Sequence, residues 1–345
     1  IIFMALLIWL SPVSGARTYI VDDDGFSNYR TIQDAVIAAS DGDTIYVKPG
    51  NYSEEVILNK SLSLMPLIGE SGPIILNGQG KETGITVYSD GCYLEGLSFQ
   101  GYSGAAVHLL SRKNRIEKNV FEDASPAILA SGSEGNSING NLISNCQGGV
   151  ALRDASGNNS IDGNEITSCN ISIFLGEADG NSIIENNISD AYWGIWLDNS
   201  SQVQIEGNDI QSRSHGILLL NGSSLYVSDN LVLIDDEGNS TSRAALLANV
   251  SDVVFQRNEI GGGEIGLAAL DCQNNELLYN NITQSNNAIY IQDAYGLNIN
   301  NNSLIEGDYG IRVDNSSQNS IIGNLARDFV IALDIGAAED NRILK

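Results

Sequence analysis

Ten asparagines set the frame of this chain. They recur in the pattern Ile-x-x-Asn-x-Ile, or an apolar equivalent of it, at Asn119, Asn141, Asn164, Asn186, Asn208, Asn230, Asn258, Asn280, Asn302 and Asn324. The steps are 22 or 23 residues, broken once by a step of 28 between Asn230 and Asn258. A register held over so many turns marks stacked structural units. One such unit cannot bury its own Ile and Leu, so it must stack on its neighbours. Three short strands and three turns fit the period at about 3.3 Å per residue. A second strand recurs at 127–130, 149–152, 172–175, 194–197, 216–219, 266–269, 288–291 and 310–313, with apolar residues alternating. The fold class expected is all-β, a solenoid of about 11 coils. A stacked Asn amide can donate to one neighbour and accept from the other, so the Asn column is expected to be a structural ladder. The Gly that precedes the second strand, as at Gly194 and Gly216, is expected to serve a turn with an unusual backbone angle.

Charge narrows the partners. The chain has 345 residues, 43 acidic against 17 basic, and a formal net charge of -26. A nucleic acid would be repelled over most of such a surface, and an anionic membrane is disfavoured for the same reason. With 42% apolar residues the chain is not disordered by composition. Residues 1–10, IIFMALLIWL, followed by small Ser14 and Ala16, read as a secretion signal spanning 1–16. No other stretch is apolar enough to anchor the chain, so no transmembrane span is expected after cleavage. Asn-x-Ser/Thr sequons fit an exported protein. They stand at Asn51, Asn59, Asn158, Asn170, Asn187, Asn199, Asn221, Asn239, Asn249, Asn281, Asn301 and Asn315. The expected location is secreted, cell-surface or periplasmic.

The repeats, together with VDDDGFSNYRTIQDAVIAASDGDTIYVKPGNYSEEV at 21–56, resemble the right-handed parallel β-helix of the pectin-lyase-like superfamily. More narrowly they resemble NosD-type and carbohydrate-binding/sugar-hydrolase repeat proteins. The resemblance implies a right-handed parallel β-helix opened by a short helix that plugs its apolar end. Thr31 is the expected N-cap, with Ile32, Ala35, Val36 and Ala39 on the buried face. Residues 17–80 are then the cap and first coils, and 81–345 the repeat coils. Such motifs specify fold far better than function.

Catalytic motifs of enzymes with this fold do not appear in order. Ser214-His215-Gly216 precedes Asp235-Asp236, the reverse of the polygalacturonase arrangement, and the flanking motifs are missing. Three features remain. The first is the 28-residue step, which places an extra loop in 234–244. Tyr192, Trp193, Arg213, His215, Asp235, Asp236, Glu237 and Glu264 are expected on that side, either as a glycan site or as an acidic solvated surface. The second is an outward stripe in the repeated strand: His108, Leu129, Ala151, Phe174, Trp196, Leu218, Ala268, Tyr290 and Arg312. Its centre, Phe174 and Trp196, is expected to hold sugar rings or another protein, or else to be packed over. The third is the pair Cys146 and Cys169, in the same column of adjacent coils with Cα atoms about 5 Å apart, compatible with a disulfide or with two buried thiols. Cys92 and Cys272 lie too far apart to bridge. Acids at one set of turns, Asp154, Asp198, Asp271, Asp293 and Asp314, either collect calcium or serve solubility; no other cofactor is expected. The reading favoured is an exported, non-catalytic β-helix that binds surface polysaccharide or a surface glycoprotein, or builds the cell exterior. Alternatives are a polysaccharide hydrolase, lyase or epimerase with its site near 234–244, and a NosD-type periplasmic accessory protein for copper-centre assembly. Two His and two Met without clustering speak against direct copper handling.

Overall fold

The computed structural model describes residues 15–25, 27–235 and 241–344. The expected leader, residues 1–16, lies almost wholly outside them. The chain winds into a parallel β-helix with three faces. One face is a sheet of 15 strands, from Thr18–Val21 to Arg342–Leu344. The other two faces merge into a single sheet of 22 strands. They merge because single strands, Asn187–Asp198, Asp209–Leu220, Ser303–Asp314 and Leu325–Ile335, run round the corner between them. Equivalent residues of successive coils pair in parallel register, as Tyr93, Arg115 and Ser137 do.

The 15 strands of the first face exceed the 11 coils expected. Thr18, Thr44, Ser63 and Tyr93 already stand in one column, but at uneven steps and without the Asn. A search for a fixed period passes over them.

The Asn ladder holds throughout. Asn208 Oδ1 accepts from Asn186 N at 2.9 Å and Asn186 Nδ2 at 3.0 Å. Its own Nδ2 donates to Ile183 O and to Asn230 Oδ1, each at 2.9 Å. The same bonds link Asn230 to Asn258 across the long step and reach Asn324. Buried amides paired along the axis satisfy the polar groups of a turn that water cannot reach. A second ladder, five residues earlier, was not anticipated. It runs through Asn114, Asn136, Asn159 and Asn181.

The glycines at the corner have a different reason from the one expected. Left-handed backbone is found elsewhere; here space is short. A Cβ on Gly216 would lie 2.2 Å from Val232 Cγ1, and one on Gly194 2.5 Å from Gly216 O. The strand turns inward so tightly at this point that only hydrogen fits.

The N-terminal plug forms as the sequence implies. Helix Ile32–Ala38 is capped by Thr31, whose side chain accepts from Asp34 N at 3.1 Å. Ile32, Ala35, Val36 and Ala39 are buried on the open end of the solenoid. Both helix ends also receive a charge of the favourable sign. Glu54 accepts from Ile32 N at 2.8 Å and Gln33 N at 2.9 Å. Lys60 Nζ donates to the carbonyls of Val36, Ile37 and Ala39 at 2.9, 2.9 and 2.6 Å.

Cys146 and Cys169 stand as buried free thiols, the second of the two arrangements their shared column allows. Each donates to a carbonyl of its own coil, Cys146 to Ser144 O at 3.2 Å and Cys169 to Thr167 O at 3.6 Å. Contact with the Cys169 thiol, and burial second, hold the Cys146 thiol far above its usual range.

Candidate functional site

The outward stripe forms as a continuous column on the third face. Strands Ile128–Ser131, Gly148–Arg153, Ile171–Gly176, Asn187–Asp198 and Asp209–Leu220 align Leu129, Ala151, Phe174, Trp196 and Leu218 in that order. Leu246 follows Leu218 and was missing from the sequence reading. A parallel column on the other side of the corner aligns Gly148, Ile171, Trp193, His215 and Arg243.

These two columns change abruptly in size between successive coils, and a groove results. Gly148 and Ala151 form its floor; Phe174 and Trp196 rise as one wall, and Pro126 and Leu129 close the other side. Gln147, Asn170 and Arg153 line the rim. Its volume is about 520 Å³, within the range of small-ligand pockets. The wall is a set of edge-to-face rings. Phe174 and Trp196 have centroids 5.0 Å apart, and Trp193 and Trp196 4.9 Å. Phe174 lies down over Gly176, where a Cβ would come within 2.8 Å of its ring. The Arg153 guanidinium sits 5.0 Å from the Phe174 centroid, a cation–π contact. The indole N–H groups of Trp193 and Trp196 are both covered and both without a hydrogen-bond partner, unusual for buried tryptophan.

The residues expected around the 234–244 loop are brought together only in part. Tyr192 packs on Trp193 at 5.8 Å, and Trp193 on His215 at 6.2 Å. Arg213 instead faces back toward Asp190, its Nε 3.0 Å from Oδ1. Asp235 is exposed, and its N–H donates to Ser212 O at 2.9 Å. Glu264 accepts from Asn286 Nδ2 at 2.7 Å. Asp236 and Glu237 lie outside the described residues. His215 is held by Ser214 Oγ, 2.8 Å from its Nδ1. Burial, with Arg243 adding, pushes its pKa down to about 4, so the imidazole is neutral at pH 7 and a weak base. Arg243 beside His215, and Arg153 on the groove rim, escaped the sequence reading. The two strands' outward alternation already assigned Arg153 to the exposed side, two residues after Ala151.

The family profile described as "Periplasmic copper-binding protein (NosD)" matches residues 37–233, more than half of the chain. The chain belongs to the NosD family. A second profile, the right-handed β-helix region, covers 234–330. A cell surface glycoprotein of Methanothermus fervidus is 29% identical over 104 residues; the match spans 29% of this chain and 17% of that protein. Among solved structures, the chain is similar in fold to DFA-IIIase of Arthrobacter chlorophenolicus A6, with TM-score 0.62 and 14% identity over 91% of this chain and 99% of that one. It is similar also to PfbA, a surface adhesin of Streptococcus pneumoniae, with TM-score 0.53 and 13% identity over 86% and 87%. The periplasmic alginate epimerase AlgG gives TM-score 0.52 and 13% identity over 88% and 77%. The NosD assignment and the surface relative place the chain in the periplasm or outside the cell. No helix among the described residues is long and apolar enough to cross a membrane.

The copper in the family description does not find a matching donor set among the described residues. His108 and His215 stand five coils apart, about 24 Å at the strand spacing. All four Cys are buried, and neither Cys92 nor Cys272 neighbours another thiol in the columns. Among the described residues one group of three His, Cys, Asp or Glu is close enough to share an ion: Asp22, Asp23 and Asp24. Lys48 engages Asp22 at 3.0 Å and Asn51 N engages Asp23 at 2.8 Å, and a set without nitrogen or sulfur does not suit copper. The turn acids considered for calcium do not converge among the described residues. Asp198 accepts from Asn221 and Asp314 pairs with Arg312.

Proposed function

We propose that this exported NosD-family chain binds a surface polysaccharide along its third face, without turning it over. The observation that carries the reading is the groove beneath Phe174 and Trp196. Its wall is aromatic and its rim offers an amide on Gln147, an amide on Asn170 and a guanidinium on Arg153. That combination suits a sugar, whose apolar ring face stacks on aromatic rings while its hydroxyls reach rim donors and acceptors. A sugar hydroxyl also supplies the acceptor that the Trp196 indole lacks, after a small rotation of the ring. Among the described residues no carboxylate lines this groove; Asp154, Glu177 and Asp198 lie beyond it, on the far side of Arg153 and Phe174. Hydrolysis of a glycosidic bond is ordinarily carried by a pair of carboxylates within the site.

The test is retention of the protein on a panel of immobilised polysaccharides, with the eluate assayed for new reducing or unsaturated ends. Trp196→Ala removes the ring at the centre of the wall. Stripping a buried aromatic contact costs about 1.5–3 kcal/mol, so retention should weaken about tenfold or more. Leu246→Ala, in the same column but two coils away, should bind as the parent does. Equal retention by Trp196→Ala and parent, with both folded, would refute the groove. New chain ends would make the protein an enzyme and move attention to His215 and the 234–244 loop.

A further inference from the structure

The turn that follows the third face repeats with a composition the fold alone does not require. Its first residue in successive coils is Glu177, Asn199, Asn221, Asn249, Asp271, Asp293 and Asn315, and every one has a left-handed φ between 45° and 55°. That conformation explains a preference for Asn and Asp, which tolerate it equally. It does not explain what stands two residues later. After each Asn there is Ser: Ser201, Ser223, Ser251 and Ser317. After Glu177, Asp271 and Asp293 the residue is Asp179, Gln273 and Tyr295. The second positions share one column, with bridges from Ser223 through Ser251, Gln273 and Tyr295 to Ser317. The backbone is therefore equivalent in all these coils, yet Ser accompanies Asn and never Asp or Glu.

We infer that this edge is a site of N-linked glycosylation, with Asn199, Asn221, Asn249 and Asn315 as acceptors. The structure separates these sequons from Asn170 and Asn187, though not by exposure from Asn51, Asn59, Asn158 and Asn301. All four Asn are exposed and their Ser partners half-exposed, on a turn at the rim of the solenoid. At Asn170 the partner Ser172 is fully buried in the core, out of reach of any transferase. At Asn187 the sequon lies in a strand paired on both sides, with Ser189 Oγ 3.0 Å from Thr167 Oγ1. Asn239 lies outside the described residues. The periplasmic or extracellular location puts the edge where lipid-linked sugars are transferred.

In the transfer, the C1–O bond of a polyprenyl-phosphate-linked oligosaccharide breaks and a C1–Nδ2 bond to Asn forms. The lipid phosphate leaves, and the amide proton passes to the transferase's base. Asn199 is the best-placed acceptor. Its Nδ2 makes no hydrogen bond among the described residues, whereas Asn221 Nδ2 donates to Asp198 Oδ1 at 2.8 Å and Asn249 Nδ2 to Asn221 Oδ1 at 2.9 Å. Asn221 and Asn249 are on adjacent coils, about 4.8 Å apart along the axis. That spacing is too close for two glycans on one molecule.

The experiment is glycopeptide mass spectrometry on the full chain purified from the cells that make it, compared with N199Q and with a variant in which all four Asn are changed to Gln. The expected result is saccharide on Asn199 and on other sites of the edge, an unmodified Asn170, and loss of one glycan mass in N199Q. The fourfold variant should lose all the mass heterogeneity of the edge. Bare peptides at all four Asn would overturn the inference. So would Asn170 modified to the same extent as Asn199, since the geometry would then select nothing. The claim does not depend on the groove, and polysaccharide retention does not report on it.

Discussion

Asn208→Ala should cut the solenoid in energetic terms while leaving its outline intact. Asn208 makes five side-chain bonds: Oδ1 accepts twice from Asn186, and Nδ2 donates to Ile183 O, Glu206 O and Asn230 Oδ1. Asn230 Oδ1 keeps the bond from Asn208 N, and Asn186 Nδ2 keeps Ile161 O and Ile184 O. The Asn186 N–H is left without a partner in the interior, while the Ile183 carbonyl loses one of its two donors and keeps its ladder bond to the next coil. A buried unsatisfied group costs about 1–3 kcal/mol and a lost hydrogen bond about 1 kcal/mol, so the loss is about 3 kcal/mol. In a solenoid that cost stays at the interface between neighbouring coils. Hydrogen exchange should therefore speed up by about a hundredfold in the coils holding Asn186, Asn208 and Asn230. Exchange around Asn302 should be unchanged. Asn208→Asp keeps the acceptor but loses the donors, and burial raises the pKa of the new carboxyl. Its damage should therefore grow as pH rises through that raised value and ease below it. A change under tenfold, or one spread evenly along the chain, would refute the ladder as the local source of stability.

Two other perturbations test the plug and the thiols. Lys60→Met keeps the aliphatic stem but removes the three bonds to Val36, Ile37 and Ala39; it should cost about 1–3 kcal/mol, read as faster exchange confined to residues 32–62, and unchanged exchange there would dismiss the cap. Treatment of the unfolding-competent protein with a small disulfide oxidant should join Cys146 to Cys169 and reduce the oxidant. Alkylation after denaturation should then find two thiols instead of four, those of Cys92 and Cys272, and four reactive thiols would show that the pair cannot reach bonding geometry.

The coils were legible because their inward columns repeat. Asn119 to Asn324, and the buried residues beside them, are fixed by contacts with copies of themselves, and self-contact leaves a period. The second ladder was equally visible as the pairs Asn114–Asn119, Asn136–Asn141 and Asn159–Asn164, but it falls silent at Val203, Leu225 and Val253 and so looks irregular. The aromatic stripe was legible by alternation. The groove beside it was not, since a void depends on Gly148 and Ala151 being small next to large Phe174 and Trp196, and on Pro126 arriving from the neighbouring coil. The loop cluster failed for a geometric reason. The strand holding Tyr192 and Trp193 has an irregular register against its neighbour between Ile188 and Trp193. Residues on the two sides of that bulge point to different faces, so Arg213 meets Asp190 and not Asp235.

The same geometry bears on what a chain of this family can bind. Each coil offers the outside only a few side chains, and its neighbours lie one strand spacing away. A ligand that needs several donors converging on a point, as copper does, must recruit them from one or two adjacent coils. His108 and His215 are separated by five, and the ladder makes the coils too rigid to fold back. A ligand that is itself extended faces no such requirement. It can run along the axis and meet one outward residue per coil, and the run Leu129, Ala151, Phe174, Trp196 and Leu218 offers five in succession. If this chain has a ligand on its third face, the spacing of its own coils selects a linear one. Retention should then rise with polymer length up to the span of that run and level off beyond it.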